Sequence, residues 1–234
     1  RGDAPAGVAT GAEPTAVGTP VTLRLSRERS AYERWSEVNV IRGAAKGTVS
    51  AIAHAPLGDI TSAQFLALAD AQRHLGADVR ATNRQNVVFR GLSEADLPAL
   101  FDRLTEAGLA EPGGELARDV VSCPGSDTCN LALTQSRGLA SDIGRALEES
   151  GLADVGGVRI NISGCTNSCG QHHTADIGFF GVERRAHGVS APGYTMLLGG
   201  HLGQTQIEFG EKALRLPARR AATATVRVIG RFAG

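Results

Sequence analysis

Four cysteines carry the most specific chemistry in this chain. Cys123 and Cys129 are separated by five residues (CPGSDTC), Cys165 and Cys169 by three (CTNSC), and 35 residues lie between the two pairs. Both pairs sit among Gly, Pro, Ser and Asn, which build tight loops whose backbone N–H groups can turn inward towards sulfur. No cysteine lies elsewhere in the sequence. Three chemistries compete for them. Two disulfides have three connectivities open to them, but thiols stay reduced in the cytosol and nothing marks the chain as secreted. Structural zinc favours C-x2–4-C knuckles, which the second pair satisfies and the wider first pair does not. A four-thiolate iron–sulfur cluster tolerates such varied spacing and uses every cysteine.

Composition removes other classes. The chain has 234 residues, 42% hydrophobic and 21% charged, enough for one large domain or two small ones with real cores. Lys+Arg 24 against Asp+Glu 24 leaves no net charge, unlike a sequence-blind nucleic-acid binder, which needs a basic excess. No apolar run is long enough for a membrane span and no signal-peptide core is visible, so the expected location is cytoplasmic.

The elements that must position the cysteines follow from periodicity. Residues 1–20 are rich in Gly, Ala, Pro and Thr and are expected to be a linker. With Arg1 in place of Met, that suggests a piece of a longer protein. Short strands are expected over 38–41 and 47–53. Thr61 and Gln64 form a capping box for a helix that Gly76 stops. Two strands, 79–82 and 86–90, flank a polar turn. A second helix follows, with Asp96 as its cap and Pro98 in its first turn, and Gly108 closes it. A strand over 119–122 completes a β-α-β-β-α-β order, the split βαβ, ferredoxin-like arrangement. Beyond Cys129 we expect a helix from Leu139 to about Ser150 and strands over 157–163, 176–182 and 194–198. Residues 211–220 are weakly helical, and 224–230 fit a strand or a helix start.

The residues around the second pair, Ser163-Gly164-Cys165-x3-Cys169-x6-Asp176-Ile177-Gly178-Phe179, resemble the signature of the nitrite/sulfite reductase family, which binds a 4Fe–4S cluster and sirohaem. Cys123-Pro124-Gly125 to Thr128-Cys129 resembles that family's upstream cluster half, and 80–86 (RATNRQN) resembles its cofactor-facing loop. The resemblance spans about residues 35 to 200. It implies an α+β fold, with a ferredoxin-like split βαβ segment over 21–118 and an α/β sirohaem and 4Fe–4S domain over 119–234. It also implies that this is the C-terminal half of a duplicated chain, partnered by an N-terminal half of the same chain.

The activity so implied is six-electron reduction of sulfite to sulfide or nitrite to ammonia, with ferredoxin or a flavoprotein as electron donor. A non-catalytic Fe–S electron-transfer module and a precorrin-modifying oxygenase are the alternatives. By the resemblance, Cys123, Cys129, Cys165 and Cys169 would be the cluster ligands, and Cys169 would also bridge to the sirohaem iron. Arg80, Arg84, Gln85 and Asn86 would meet the carboxylates of the macrocycle, since Arg suits bidentate carboxylate binding. Asn167 would hydrogen-bond a cluster sulfur or hold the loop. His172 and His173 are expected to be structural. The basic residues that grip the substrate anion would come largely from the other half.

Overall fold

The computed structural model describes residues 25–43, 45–186, 188–203 and 206–233; the expected linker over 1–20 lies outside them. The first helix, α1 (Ala31–Asn39), opens with a reciprocal capping box in which Ser30 Oγ accepts the Glu33 N–H and the Glu33 carboxylate accepts the Ser30 N–H. Such a cap is worth about 1 kcal/mol. Strands β1 (Val40–Arg42) and β2 (Val49–Ala53) follow. Helix α2 (Ser62–Leu75) starts on the expected Thr61/Gln64 box and ends at Gly76, whose φ of 64° is the left-handed stop. Strands β3 (Asp78–Ala81) and β4 (Val87–Leu92) make a hairpin, and α3 (Leu97–Glu106) carries Pro98 in its first turn. Asp96 does not cap that helix directly; its carboxylate accepts from the Ser93 N–H and hydroxyl, closing a short turn ahead of it. The strands form one antiparallel sheet in the order β1-β2-β4-β3. Trp35, Phe89, Leu92, Leu100 and Leu104 are buried between this sheet and the helices.

The second sheet has the order β11-β8-β7-β6-β5. Its members are β5 (Val121–Ser122), β6 (Ile160–Ser163), β7 (Ile177–Ala186), β8 (Val189–Leu198) and β11 (Glu211–Pro217), with a small hairpin of β9 (His201–Leu202) and β10 (Ile207–Glu208) inserted. β5, β6 and β7 run parallel, while β8 and β11 are antiparallel additions. Helices α4 (Ser136–Glu149) and α5 (Ala221–Ala233) bury Leu139, Ile143, Leu147 and Ile229 against Ile160, Ile162, Phe179 and Met196.

Two expectations are corrected here. The strand expected over 119–122 does not complete the ferredoxin-like sheet; Val121 and Ser122 pair with Asn161 and Ile162 in the second sheet, and the first sheet takes β1 beside β2 instead. The weak helix expected over 211–220 is mostly β11. Only Leu216 of that strand is buried, so it shows no alternating pattern to read.

Buried polar groups join the two units. Asn39 is fully buried, and its amide donates to the carbonyls of Ile52 and Glu111 at 3.0 and 3.1 Å while accepting from Gly113 and Gly114 N–H, both at 3.1 Å. Every hydrogen-bonding position of that side chain is used, which fixes the segment leading to β5. Asp154 in the second unit meets Arg27 at 3.3 Å, Arg34 at 3.5 Å and Arg118 at 2.5 Å.

Candidate metal centre

The parallel pairing of β5 and β6 brings the cysteine loops together. Adjacent parallel strands end at the same edge of a sheet, so the loops leaving their carboxyl ends share one crevice. Cys123 follows Ser122 directly and extends the ladder, its N–H donating to Ile162 O at 3.1 Å. Gly164 and Cys165 follow Ser163, the end of β6. The Gly164 N–H donates to Cys123 Sγ at 3.1 Å, and its carbonyl accepts from Leu133 and Thr134 at 2.8 and 3.3 Å. This contact tolerates no side chain. A Cβ on Gly164 would lie 2.9 Å from Gly125 Cα, and one on Gly125, which has a φ of +63°, would lie 2.6 Å from Ser136 N.

All four cysteines are free thiols. Cys123, Cys129 and Cys165 are partly buried, whereas Cys169 is exposed. Among the described residues, no three His, Cys, Asp or Glu side chains converge closely enough to hold a single metal ion. Around one tetrahedral zinc, sulfurs at about 2.3 Å from the metal stand about 3.8 Å apart. Two touching loops with two cysteines each would supply the four thiolates that a 4Fe–4S cluster takes.

The return of the second loop is held from inside. Ser163 Oγ accepts the Gly170 N–H at 3.1 Å and lies 2.8 Å from His172 Nδ1. His172 is fully buried and its Nε2 has no hydrogen bond among the described residues. Burial first, and then the charge of neighbouring His173, push its pKa down from 6.5 to about 4. His172 is therefore neutral at pH 7. Because the folded protein resists a proton that the unfolded chain takes up, this contribution is complete above pH 6.5. It should fall by up to about 3 kcal/mol as pH drops towards 4. Thermal melts between pH 7 and 5 should show that slope and His172→Gln should flatten it; an unchanged slope would remove His172 from the acid response.

The remaining sequence-derived candidates divide into two groups. Arg80 sits on the surface paired with Asp78 at 2.8 Å, and Asn167 is exposed at the tip of the second loop. Arg84, Gln85 and Asn86 instead spend their polar groups inside the protein. Arg84 Nε donates to Asp119 Oδ2 at 2.8 Å and its Nη2 to Asp119 O at 2.6 Å. Asn86 Nδ2 reaches both carboxylate oxygens of Asp119 at 3.1 and 3.2 Å, and its Oδ1 accepts the Ala55 N–H. Gln85 bonds Ser122 in both directions, Nε2 to the carbonyl at 2.8 Å and Oε1 from the N–H at 3.2 Å. In this structure the three side chains clamp the strand that delivers Cys123. Sequence reasoning gave no role to Asp119 and Ser136, whose partners lie 13 or more residues away and leave no local signal, and it took Ser163 only as part of the cysteine motif.

The comparisons with known proteins agree with this geometry. Residues 42–107 match the nitrite/sulfite reductase ferredoxin-like half domain, and residues 113–210 match the nitrite and sulphite reductase 4Fe-4S domain. The chain belongs to the nitrite/sulfite reductase family. It is 36% identical over 162 residues to a ferredoxin–nitrite reductase of Synechococcus elongatus, covering 69% of this chain and 31% of that protein. It is 33% identical over 175 residues to a sulfite reductase (ferredoxin) of Mycobacterium tuberculosis, covering 71% of this chain and 31% of that protein. The chain thus spans about a third of the length of these curated relatives. The solved structure of the Mycobacterium tuberculosis NirA protein superposes with a TM-score of 0.71 at 28% identity, over 94% of this chain and 39% of that one. A dissimilatory sulfite reductase, DsrI, shares the fold at a TM-score of 0.58 and 11% identity, over 71% of this chain and 57% of that one. No described helix is long and apolar enough to cross a membrane.

Proposed function

We propose that this chain is the cluster-bearing part of an enzyme that reduces nitrite or sulfite by six electrons. A 4Fe–4S cluster would lie beside a sirohaem, and a ferredoxin or flavoprotein would deliver the electrons. The observation that carries this reading is the contact between the two cysteine loops at the carboxyl ends of β5 and β6, sealed by Gly164 against Gly125. Cys123, Cys129, Cys165 and Cys169 would each hold one iron. Sirohaem, when bound, supplies an iron that keeps the anion in place while electrons arrive singly. Cys169, exposed while the other three are partly buried, would be the residue to supply a thiolate shared with the haem iron.

Among the described residues, three arginines near the ferredoxin-like hairpin already have carboxylate partners. Arg84 is taken by Asp119, Arg159 by Glu115 at 3.0 Å and Arg80 by Asp78. The cleft of about 630 Å³ beside the first cysteine loop is lined by Asp142 and Glu183 as well as Arg219, the wrong balance for a polycarboxylate macrocycle. The proposal therefore assigns the grip on the carboxylates and on the substrate anion to the other half of the enzyme. Leu131 and Leu133, exposed beside Cys129, suit a surface covered by that half.

Solvent extraction of the anaerobically purified full-length enzyme, this chain together with its other half, tests the reading; this chain alone is expected not to turn over nitrite or sulfite. Sirohaem in the extract, with turnover of nitrite or sulfite by a reduced dye, is the expected result. A cluster without any tetrapyrrole would make the chain an electron-transfer module and overturn the reductase.

A further inference from the structure

We propose that Ser136 sets the electronic properties of the cluster by donating a hydrogen bond to the Cys123 sulfur; the inference rests on the cluster reading above. Ser136 is the first residue of α4 and is fully buried. Its Oγ lies 2.6 Å from the Cys123 carbonyl oxygen and 3.3 Å from Cys123 Sγ. The Gly164 N–H already donates to the same sulfur at 3.1 Å. Among the described residues no such hydrogen bond reaches the sulfurs of Cys129, Cys165 or Cys169, so Cys123 occupies a distinct environment.

A serine hydroxyl has one proton and here faces two acceptors. In the free thiol, the S–H donates to Ser136 Oγ and the hydroxyl donates to the Cys123 carbonyl. Once the thiolate forms, the sulfur has no proton to give and carries negative charge, so the hydroxyl turns to it and makes the stronger, charge-assisted bond. The positive end of α4 reinforces this from the same side. Donors to a cluster thiolate stabilise the more negative, reduced state and raise the reduction potential. The iron held by Cys123 is then the corner where an added electron is best stabilised. Gly125 makes the arrangement sterically attainable, since a side chain there would displace Ser136.

The test is a redox titration of the anaerobic holoprotein, followed by electron paramagnetic resonance, for the wild type, Ser136→Ala and Ser136→Thr. The expected result is a more negative cluster midpoint in Ser136→Ala and recovery towards the wild-type value in Ser136→Thr, which keeps the hydroxyl. A proton hyperfine coupling lost on exchange into D2O should also be visible in the wild type and absent from Ser136→Ala. A serine that only fills space would change cluster yield or melting temperature and leave the midpoint where it was; that result overturns the inference and leaves the cluster reading intact. If Ser136→Ala holds no cluster, the exchangeable coupling in the wild type decides, and its absence beyond the contribution of one backbone amide overturns the inference. A wild-type protein with no cluster overturns both.

Discussion

Cys169→Ser should abolish the coupling between cluster and haem, whereas Cys123→Ser, Cys129→Ser and Cys165→Ser should act through loss of the cluster alone. Each thiolate is proposed to ligate one iron, so removing any of them leaves a corner under-ligated, and iron content should fall well below the about four atoms of a complete cube. Cys169 differs because its sulfur is exposed while the other three are partly buried. A thiolate shared between two irons also pushes electron density onto the haem, so in variants that keep some cofactor the optical bands should shift most for Cys169→Ser. Anaerobic reconstitution of the four variants, compared by optical spectra and magnetic coupling, provides the check. If Cys169→Ser keeps the coupled spectrum and another substitution abolishes it, the bridging role belongs to that other residue.

Asp119→Ala should destabilise the protein by about 3–5 kcal/mol, the range for stripping one partner from a buried ion pair. The Asp119 side chain is 4% exposed and Arg84 is 11% exposed, so the guanidinium would be left largely out of water without its counter-charge. Asn86 would lose both acceptors for its amide, and His54 Nε2 its neighbour at 3.6 Å. Asp119→Asn should cost less than Asp119→Ala, because it keeps one oxygen acceptor for Arg84 or Asn86, although it turns the other acceptor into an NH2 donor and removes the charge. Burial alone would raise the Asp119 pKa, but the nearby His54 imidazole and the charge of Arg84 outweigh it and hold the carboxyl below its ordinary value of 3.8. A depressed carboxylate stabilises the fold fully above its unfolded pKa and loses that contribution as pH falls through the folded one. The clamp should therefore survive at pH 5 and fail only in stronger acid, below the window in which His172 acts. Denaturant titrations of both variants at pH 7, and of the wild type down to pH 3, measure this. A cost under 1 kcal/mol for Asp119→Ala would show that the network does not hold the units together.

The parts of this protein that were legible in its sequence are those encoded locally. The Thr61/Gln64 cap and the Gly76 stop of α2 depend on residues within one turn of the helix end, and they occur as expected. The cysteine loops were legible because ligand type and spacing are themselves the signal. Sheet membership was not. Val121 and Ser122 look like any short strand, and only their long-range pairing with Asn161 and Ile162 assigns them to the second sheet. β11 escaped because an exposed edge strand has no buried face to impose alternation. Arg84, Gln85 and Asn86 read as ligand-facing from a polar turn with an arginine, which gives no sign that their side chains also reach Asp119 and Ser122. Their partners lie 33 to 37 residues along the chain.

The central claim is that the two cysteine loops hold one 4Fe–4S cluster, and iron and acid-labile sulfide analysis of the anaerobically purified protein tests it most directly. The account predicts about four iron and about four sulfide per chain, with zinc absent at stoichiometric level. One zinc per chain without sulfide, or four cysteines joined in two disulfides without metal, would contradict it.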